Sequence, residues 1–128
     1  MALKFTTPIQ MRFADIDSFG HVNNIAQQSY FDLGKVEFFA ELWRLVPEQQ
    51  QVTAMIVSVQ NDFLRQILWG DEVSVITFIE AVGTKSLTFS QQIVRGEELY
   101  SRSRTVMVCY DKQAQQSVPV PAEWREFI

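Results

Sequence analysis

A single cysteine, Cys109, leaves no partner for an internal disulfide and fits a reducing compartment. There is one histidine, His21, with no carboxylate cluster beside it, so no metal is expected. Long apolar runs are missing as well. None approaches membrane-spanning length, and the opening Met1-Ala2-Leu3-Lys4-Phe5 leads into alternation where a signal peptide would have an apolar core. Eleven basic against fifteen acidic residues leave a net charge of −4 with no block of one sign. That excludes a broad electrostatic grip on nucleic acid but leaves room for a local basic pocket on a phosphorylated small molecule. Repeats are absent, and low complexity is confined to the glutamine-rich connection Glu48 to Gln51. A soluble cytoplasmic protein without nucleic-acid or membrane partners is the expectation.

What is there is enough for one core. With 128 residues, 47% of them hydrophobic, the chain is long enough for one compact domain over 1–128 and too short for two ordinary ones. From Phe5 to Phe13 the odd positions Phe5, Ile9, Met11 and Phe13 are apolar, with Thr7 the mild exception, while Gln10 and Arg12 are polar. This is the period-two mark of a half-buried strand, and if it persists, the parity that points Phe13 inward carries Asp15 and Asp17 to the rim of the core. The plainer reading of Asp15, Asp17 and Ser18 is a set of Asx-type turn bonds at a strand end.

Polar chemistry is densest in Asp15-Ile16-Asp17-Ser18-Phe19-Gly20-His21-Val22-Asn23-Asn24. A helix is predicted next, from Asn24 to Leu45 and about 30 Å long, with Asn23 or Asn24 as N-cap, Arg44 in the last turn and Pro47 at the stop. Its first amides lack intrahelical partners and carry partial positive charge, which suits them to hold and polarise a carbonyl. The stripe Phe31, Gly34, Phe38, Leu42, Leu45 steps by three and four, and Phe39 and Trp43 widen it beyond one face. Gly34 costs about 1 kcal/mol of helix propensity against alanine, which a close backbone approach to another element would offset.

The rest is strand-like: Val52 to Phe63, a connection ending at Gly70-Asp71, Glu72 to Ala81, Ser86 to Arg95 and Leu99 to Tyr110, with turns at Gly83-Thr84-Lys85 and Gly96-Glu97-Glu98. Short turns predict antiparallel pairing in a meander. In the last strand, Leu99, Ser101, Ser103, Thr105, Met107 and Cys109 share a small face suited to the helix, while Arg102 and Arg104 stand on the other, most simply as a solvated or salt-bridged face. Val118-Pro119-Val120-Pro121 is extended, and Glu123 to Phe127 reads as about one helical turn. The fold class is α+β, one long central helix wrapped by an antiparallel sheet of five or so strands.

Arg12-Phe13-x-Asp15-x-Asp17-x-x-Gly20-His21-Val22-Asn23-Asn24, followed by Tyr30-Phe31-Asp32, resembles the signature of hotdog-fold acyl-CoA thioesterases of the 4-hydroxybenzoyl-CoA thioesterase type. The resemblance implies that Asp17 is the catalytic carboxylate and that the backbone amide at Asn24 binds the thioester oxygen. Fixed donors at a helix start suit a carbonyl that gains negative charge on attack, and Asp17 would act either as nucleophile or as general base. Gly20 would permit a tight turn and close approach of substrate, Asp15 would organise the loop, and Asn23 would cap the helix or line the site. His21 and Val22 are expected as site lining. Gln27 stands where an aromatic residue is common, and Lys35 where arginine is frequent. For the phosphates of coenzyme A, which enters as part of the substrate and not as a cofactor, Arg65, Lys85, Arg102 and Arg104 are candidates. The resemblance also implies a homodimer or homotetramer, with Phe63 to Asp71 as the wall lent by a second subunit. A hydratase or dehydratase of acyl thioesters and a non-catalytic acyl-thioester binder are the alternatives, since a fold does not guarantee chemistry.

Overall fold

The computed structural model describes residues 2–128. Strand β1 spans Lys4–Pro8, helix α1 Asn24–Leu45, β2 Val52–Phe63, β3 Ser74–Val82, β4 Ser86–Arg95, β5 Glu98–Asp111 and β6 Gln116–Ser117. Short 3-10 turns lie at Phe13–Asp15, Pro47–Gln49 and Ala122–Trp124. Helix α1 has the expected bounds because both ends are written locally. The Asn23 side chain accepts the Ala26 amide at 2.7 Å, and at the far end the Val46 amide donates to the Leu42 carbonyl just before Pro47.

The sheet runs β1-β3-β4-β5-β2, with β6 paired to β5, and every pairing is antiparallel. This corrects the simple meander. Only β3 to β6 pair in sequence order; β2 lies beside β5 at the far edge, so residues 64–73 carry the chain back across to β3. Two hydrophobic clusters are buried between helix and sheet. One gathers Phe38, Phe39, Leu42, Leu87, Phe89 and Trp124; the other gathers Val22, Phe31, Ile67, Val75, Ile93 and Tyr100. Fully burying each such side chain stabilises the fold by about 1.5–3 kcal/mol.

Gly34 explains how α1 comes so close to the sheet. A Cβ there would lie 2.7 Å from Thr77 Oγ1, 2.8 Å from Gln91 Nε2 and 2.9 Å from Val75 Cγ1. Beside it the core is polar. Gln91 Nε2 donates to the Phe31 carbonyl and to Thr77 Oγ1, and Gln91 Oε1 accepts from Lys35 Nζ at 3.1 Å. Burial pulls the Lys35 ammonium below the usual lysine range, and Asp32, 3.4 Å away, partly opposes the shift.

Two other expectations need comment. Strand β1 stops at Pro8, and Phe13 is 80% exposed with its ring against Trp69, so the inward parity does not reach it. The cause is local: the Arg12 amide donates to Asp15 Oδ2 and the Asp15 amide to the Arg12 carbonyl, wrapping the chain into a 3-10 turn that buries Asp15 instead. In β5 the parity holds. Ser101, Ser103, Thr105, Met107 and Cys109 are buried, while Arg102 and Arg104 pair with Asp62 and Glu80 on the outer face. Burial pushes the Cys109 thiol up to about 11, which leaves it an inert core residue.

Candidate active site

The polar stretch folds as a small hairpin ahead of α1. The Asp17 amide donates to the His21 carbonyl at 3.0 Å, the Gly20 amide to the Asp17 carbonyl at 3.1 Å, and Ile16 bridges Val22. Gly20 sits at φ +90°, a conformation open to glycine and strained for other residues, with nothing near its absent Cβ. Backbone shape, and not lack of space, calls for glycine here. The Phe19 amide donates to Asp17 Oδ1 at 2.9 Å, the Asx-type bond expected at this acid, and this orients the carboxylate so that Oδ2 is left for other work.

Asp15 is the anchor of the loop. It is 3% exposed, and its carboxylate accepts the Arg12 amide at 3.0 Å, the Arg12 guanidinium at 3.2 Å and the Tyr30 hydroxyl at 2.6 Å. Its carbonyl takes the Asn23 amide, which fixes the helix start. Burial raises the carboxyl pKa, but the Tyr30 and Arg12 bonds outweigh it and hold Asp15 below its usual value. Burial, and after it the Asp15 carboxylate, pushes the Tyr30 hydroxyl well up, so it stays a donor. Because the folded pKa is lowered, this stabilisation is present above the unfolded carboxyl pKa and is lost as pH falls through the folded one. Tyr30→Phe is expected to destabilise the fold by about 1–3 kcal/mol. It should also raise the pH of acid unfolding, because Asp15 would lose its shortest bond and keep its burial. Urea melts across a pH series read both effects, and an unchanged acid midpoint would show that Tyr30 does not hold the carboxylate.

At the helix start, the Asn23 carbonyl accepts the Gln27 amide and its side chain accepts that of Ala26. The amides of Asn24 and Ile25 remain the open donors of α1, at the positive end of its dipole. Asn24 borders a cavity of about 380 Å³. Asp17, His21, Val22, Asn23, Asn24 and Gln27 line it on one side, and Phe63, Leu64, Arg65 and Gln66 on the other. Gly20 lies outside the lining and serves the turn. His21 Nδ1 is 4.0 Å from Asp17 Oδ2, beyond hydrogen-bond reach, and its ring stacks near Phe19. Gln27 is buried, with Ser101 Oγ against its Oε1 at 2.5 Å, so the usual aromatic position carries a fixed polar group.

The connection after β2, expected as a wall for a second subunit, lines the cavity of its own chain through residues 63–66. Of the basic candidates, Arg65 reaches this cavity, held by Glu98 at 2.9 Å and lying over the Tyr100 ring. Arg102 and Arg104 are engaged on the outer face, and Lys85 stands between β3 and β4 near Ser117. Tyr30 was not singled out as a partner of Asp15. Its place on the buried face of the helix, apolar in body and polar at the tip, is the signal that could have found it. No group of three or more His, Cys, Asp or Glu side chains that could hold a metal occurs among the described residues.

Residues 11–128 match the family model of the thioesterase-like superfamily. The uncharacterized protein YsmA of Bacillus subtilis is 29% identical over 127 residues, covering 98% of this chain and 85% of that one. The acyl-CoA thioesterase YbgC of Haemophilus influenzae is 21% identical over 122 residues, covering 93% and 90%. Among solved structures, a Thermus thermophilus thioesterase complexed with coenzyme A and zinc is similar at a TM-score of 0.81 and 28% identity, with 94% of each chain covered.

Proposed function

The chain belongs to the thioesterase-like superfamily, and on that premise we propose that it hydrolyses an acyl-CoA to the free acid and coenzyme A, with Asp17 as the catalytic carboxylate and the Asn24 amide as the donor to the thioester oxygen. The observation that carries the reading is the shared cavity: the Asp17 carboxylate and the open start of α1 border one space of about 380 Å³. A carboxylate and a set of fixed donors facing one carbonyl meet the needs of acyl transfer.

Asp17 Oδ2 either attacks the thioester carbon to give a mixed anhydride, which water then opens, or takes a proton from the water that attacks. In both routes negative charge collects on the carbonyl oxygen beside the Asn24 amide, the carbon–sulfur bond breaks, and the thiolate leaves as coenzyme A and is protonated. The Phe19 bond to Oδ1 keeps the carboxylate in place at no cost in reorganisation. Arg65 is the cation best placed for a phosphate of the substrate. The reaction asks for no cofactor beyond the coenzyme A of the substrate itself. A hydratase-like reaction would ask His21 to work with the acid, and 4.0 Å separates them.

Association with a second copy is part of the same reading. β2 is a free edge of the sheet and exposes Met55, Ile56, Val57 and Val59, the kind of long apolar edge that folded proteins cover. Thiol release from a panel of aliphatic and aromatic acyl-CoAs tests the function. Turnover of at least one class is expected, and no hydrolysis across the panel would overturn the proposal.

A further inference from the structure

We propose that the hydrogen-bonded pair Gln28 and Asn61 bars the seam between α1 and β2 just beyond the site, so that the enzyme takes short acyl groups and rejects long saturated ones. The proposal rests on the thioesterase reading above and names the acyl class for that site.

The seam holds two separate spaces. Near the helix start, Asn24 and Gln27 face Phe63 across the catalytic cavity. Further along, Val36, Phe39 and Trp43 of α1 face Ala54 and Ile56 of β2 across a second cavity of about 250 Å³, mostly apolar, with Asp32 and Lys35 also in its lining. Moving away from the site, numbers rise along the helix and fall along the strand. Gln28 and Asn61 therefore occupy the level between the two cavities on both elements, and they are joined there: Asn61 Nδ2 donates to Gln28 Oε1 at 2.7 Å.

The bar is fixed at its helix end. Gln28 Nε2 donates to Asp32 Oδ1 at 3.0 Å, Asp32 lies 3.4 Å from Lys35 Nζ, and Lys35 donates to the buried Gln91 at 3.1 Å. Gln91 is in turn bonded to the Phe31 carbonyl and to Thr77 on the sheet. Rotating Gln28 out of the seam would break its bonds to both Asp32 and Asn61, and Asp32 is itself held through Lys35 to the core. Asn24 and Gln28 are four residues apart, about 6 Å along the helix axis, which leaves room for only a few methylene groups between the reacting carbonyl and the bar. Asn61 Oδ1 is buried with no partner among the described residues. A saturated tail packed beside it offers no donor, so the bar disfavours apolar tails by polarity as well as by bulk.

The test is kcat/KM for a straight-chain series from acetyl-CoA to palmitoyl-CoA, measured on wild type, Gln28→Ala and Asn61→Ala, with thermal melts to establish folding. Wild type is expected to fall off beyond the short chains. Either truncation joins the two cavities and should raise the ratio of decanoyl-CoA to butyryl-CoA kcat/KM by roughly tenfold or more. Adding Ala54→Leu, which refills the second cavity, should take that gain away, an outcome that a merely loosened fold would not produce. If one truncation fails to fold, the other, made from the opposite side of the seam, carries the same test. A wild type as fast on palmitoyl-CoA as on butyryl-CoA, or folded variants with an unmoved ratio, would overturn the bar and leave the thioesterase reading standing. No turnover of any member by wild type would overturn the bar, and no turnover of the aromatic acyl-CoAs as well would overturn both.

Discussion

Asp17→Asn is expected to lower kcat/KM for acyl-CoA hydrolysis by roughly 10²- to 10⁴-fold while leaving the melting temperature close to that of wild type. The substitution keeps the shape of the side chain, and its amide oxygen can still accept the Phe19 amide that Asp17 Oδ1 takes at 2.9 Å, so the hairpin has no reason to open. What is lost is the negative charge and basicity of Oδ2, the oxygen not spent on the turn. Without them neither route to the tetrahedral intermediate has an attacking or proton-accepting group, whereas the Asn24 amide and the cavity stay in place and sustain a residual rate. Thiol-release kinetics paired with a thermal melt decide the matter. A folded Asp17→Asn protein as active as wild type would remove Asp17 from the mechanism.

Gly34→Ala is expected to destabilise the fold by roughly 2–4 kcal/mol. On helix propensity alone the change should help by about 1 kcal/mol. Against this stands the placement of the new Cβ, under 3 Å from Thr77 Oγ1, Gln91 Nε2 and Val75 Cγ1. Two of these atoms are polar and bonded to each other at 2.9 Å, and the same Gln91 side chain is the acceptor for the buried Lys35 ammonium. Moving Gln91 aside to admit the methyl group strips the buried Lys35 ammonium of one of its two partners, leaving Asp32. Pushing the helix outward opens contacts in both hydrophobic clusters. Overpacking and an unmet buried polar group each cost about 1–3 kcal/mol, which outweighs the propensity gain. Urea unfolding reads the difference, and a neutral or stabilising result would show that the polar belt under the helix can shift freely.

The two substitutions mark the two ways in which the chain was legible. Around Asp17 nearly everything is local. The Asx bond to Phe19, the left-handed Gly20, the Asn23 cap and the stop at Pro47 each involve residues within a few positions of one another. The residue types therefore announce them, and the helix bounds and the bounds of β2 and β4 read correctly from pattern alone. Around Gly34 the sequence says only that a close approach is wanted. That the neighbours are Thr77 and Gln91, 43 and 57 positions away by number, follows from the order β1-β3-β4-β5-β2. At Phe13 the reverse holds: strand periodicity continues in the sequence past the point where local hydrogen bonds to Asp15 bend the chain.

By itself, then, the amino-acid order determined the single long helix, the face of β5 turned toward it, and the loop that sets Asp17 ahead of the helix start. Only the tertiary structure decided that β2 lies at the sheet edge beside β5, that Tyr30 holds Asp15, that Arg65 alone of the basic candidates reaches the cavity, and that Gln28 and Asn61 meet across the seam. The reason is physical. Caps, turns and periodicity are settled by bonds between near neighbours, while strand order and pairs such as Gln28 with Asn61 are settled by which distant surfaces pack best once those local pieces exist.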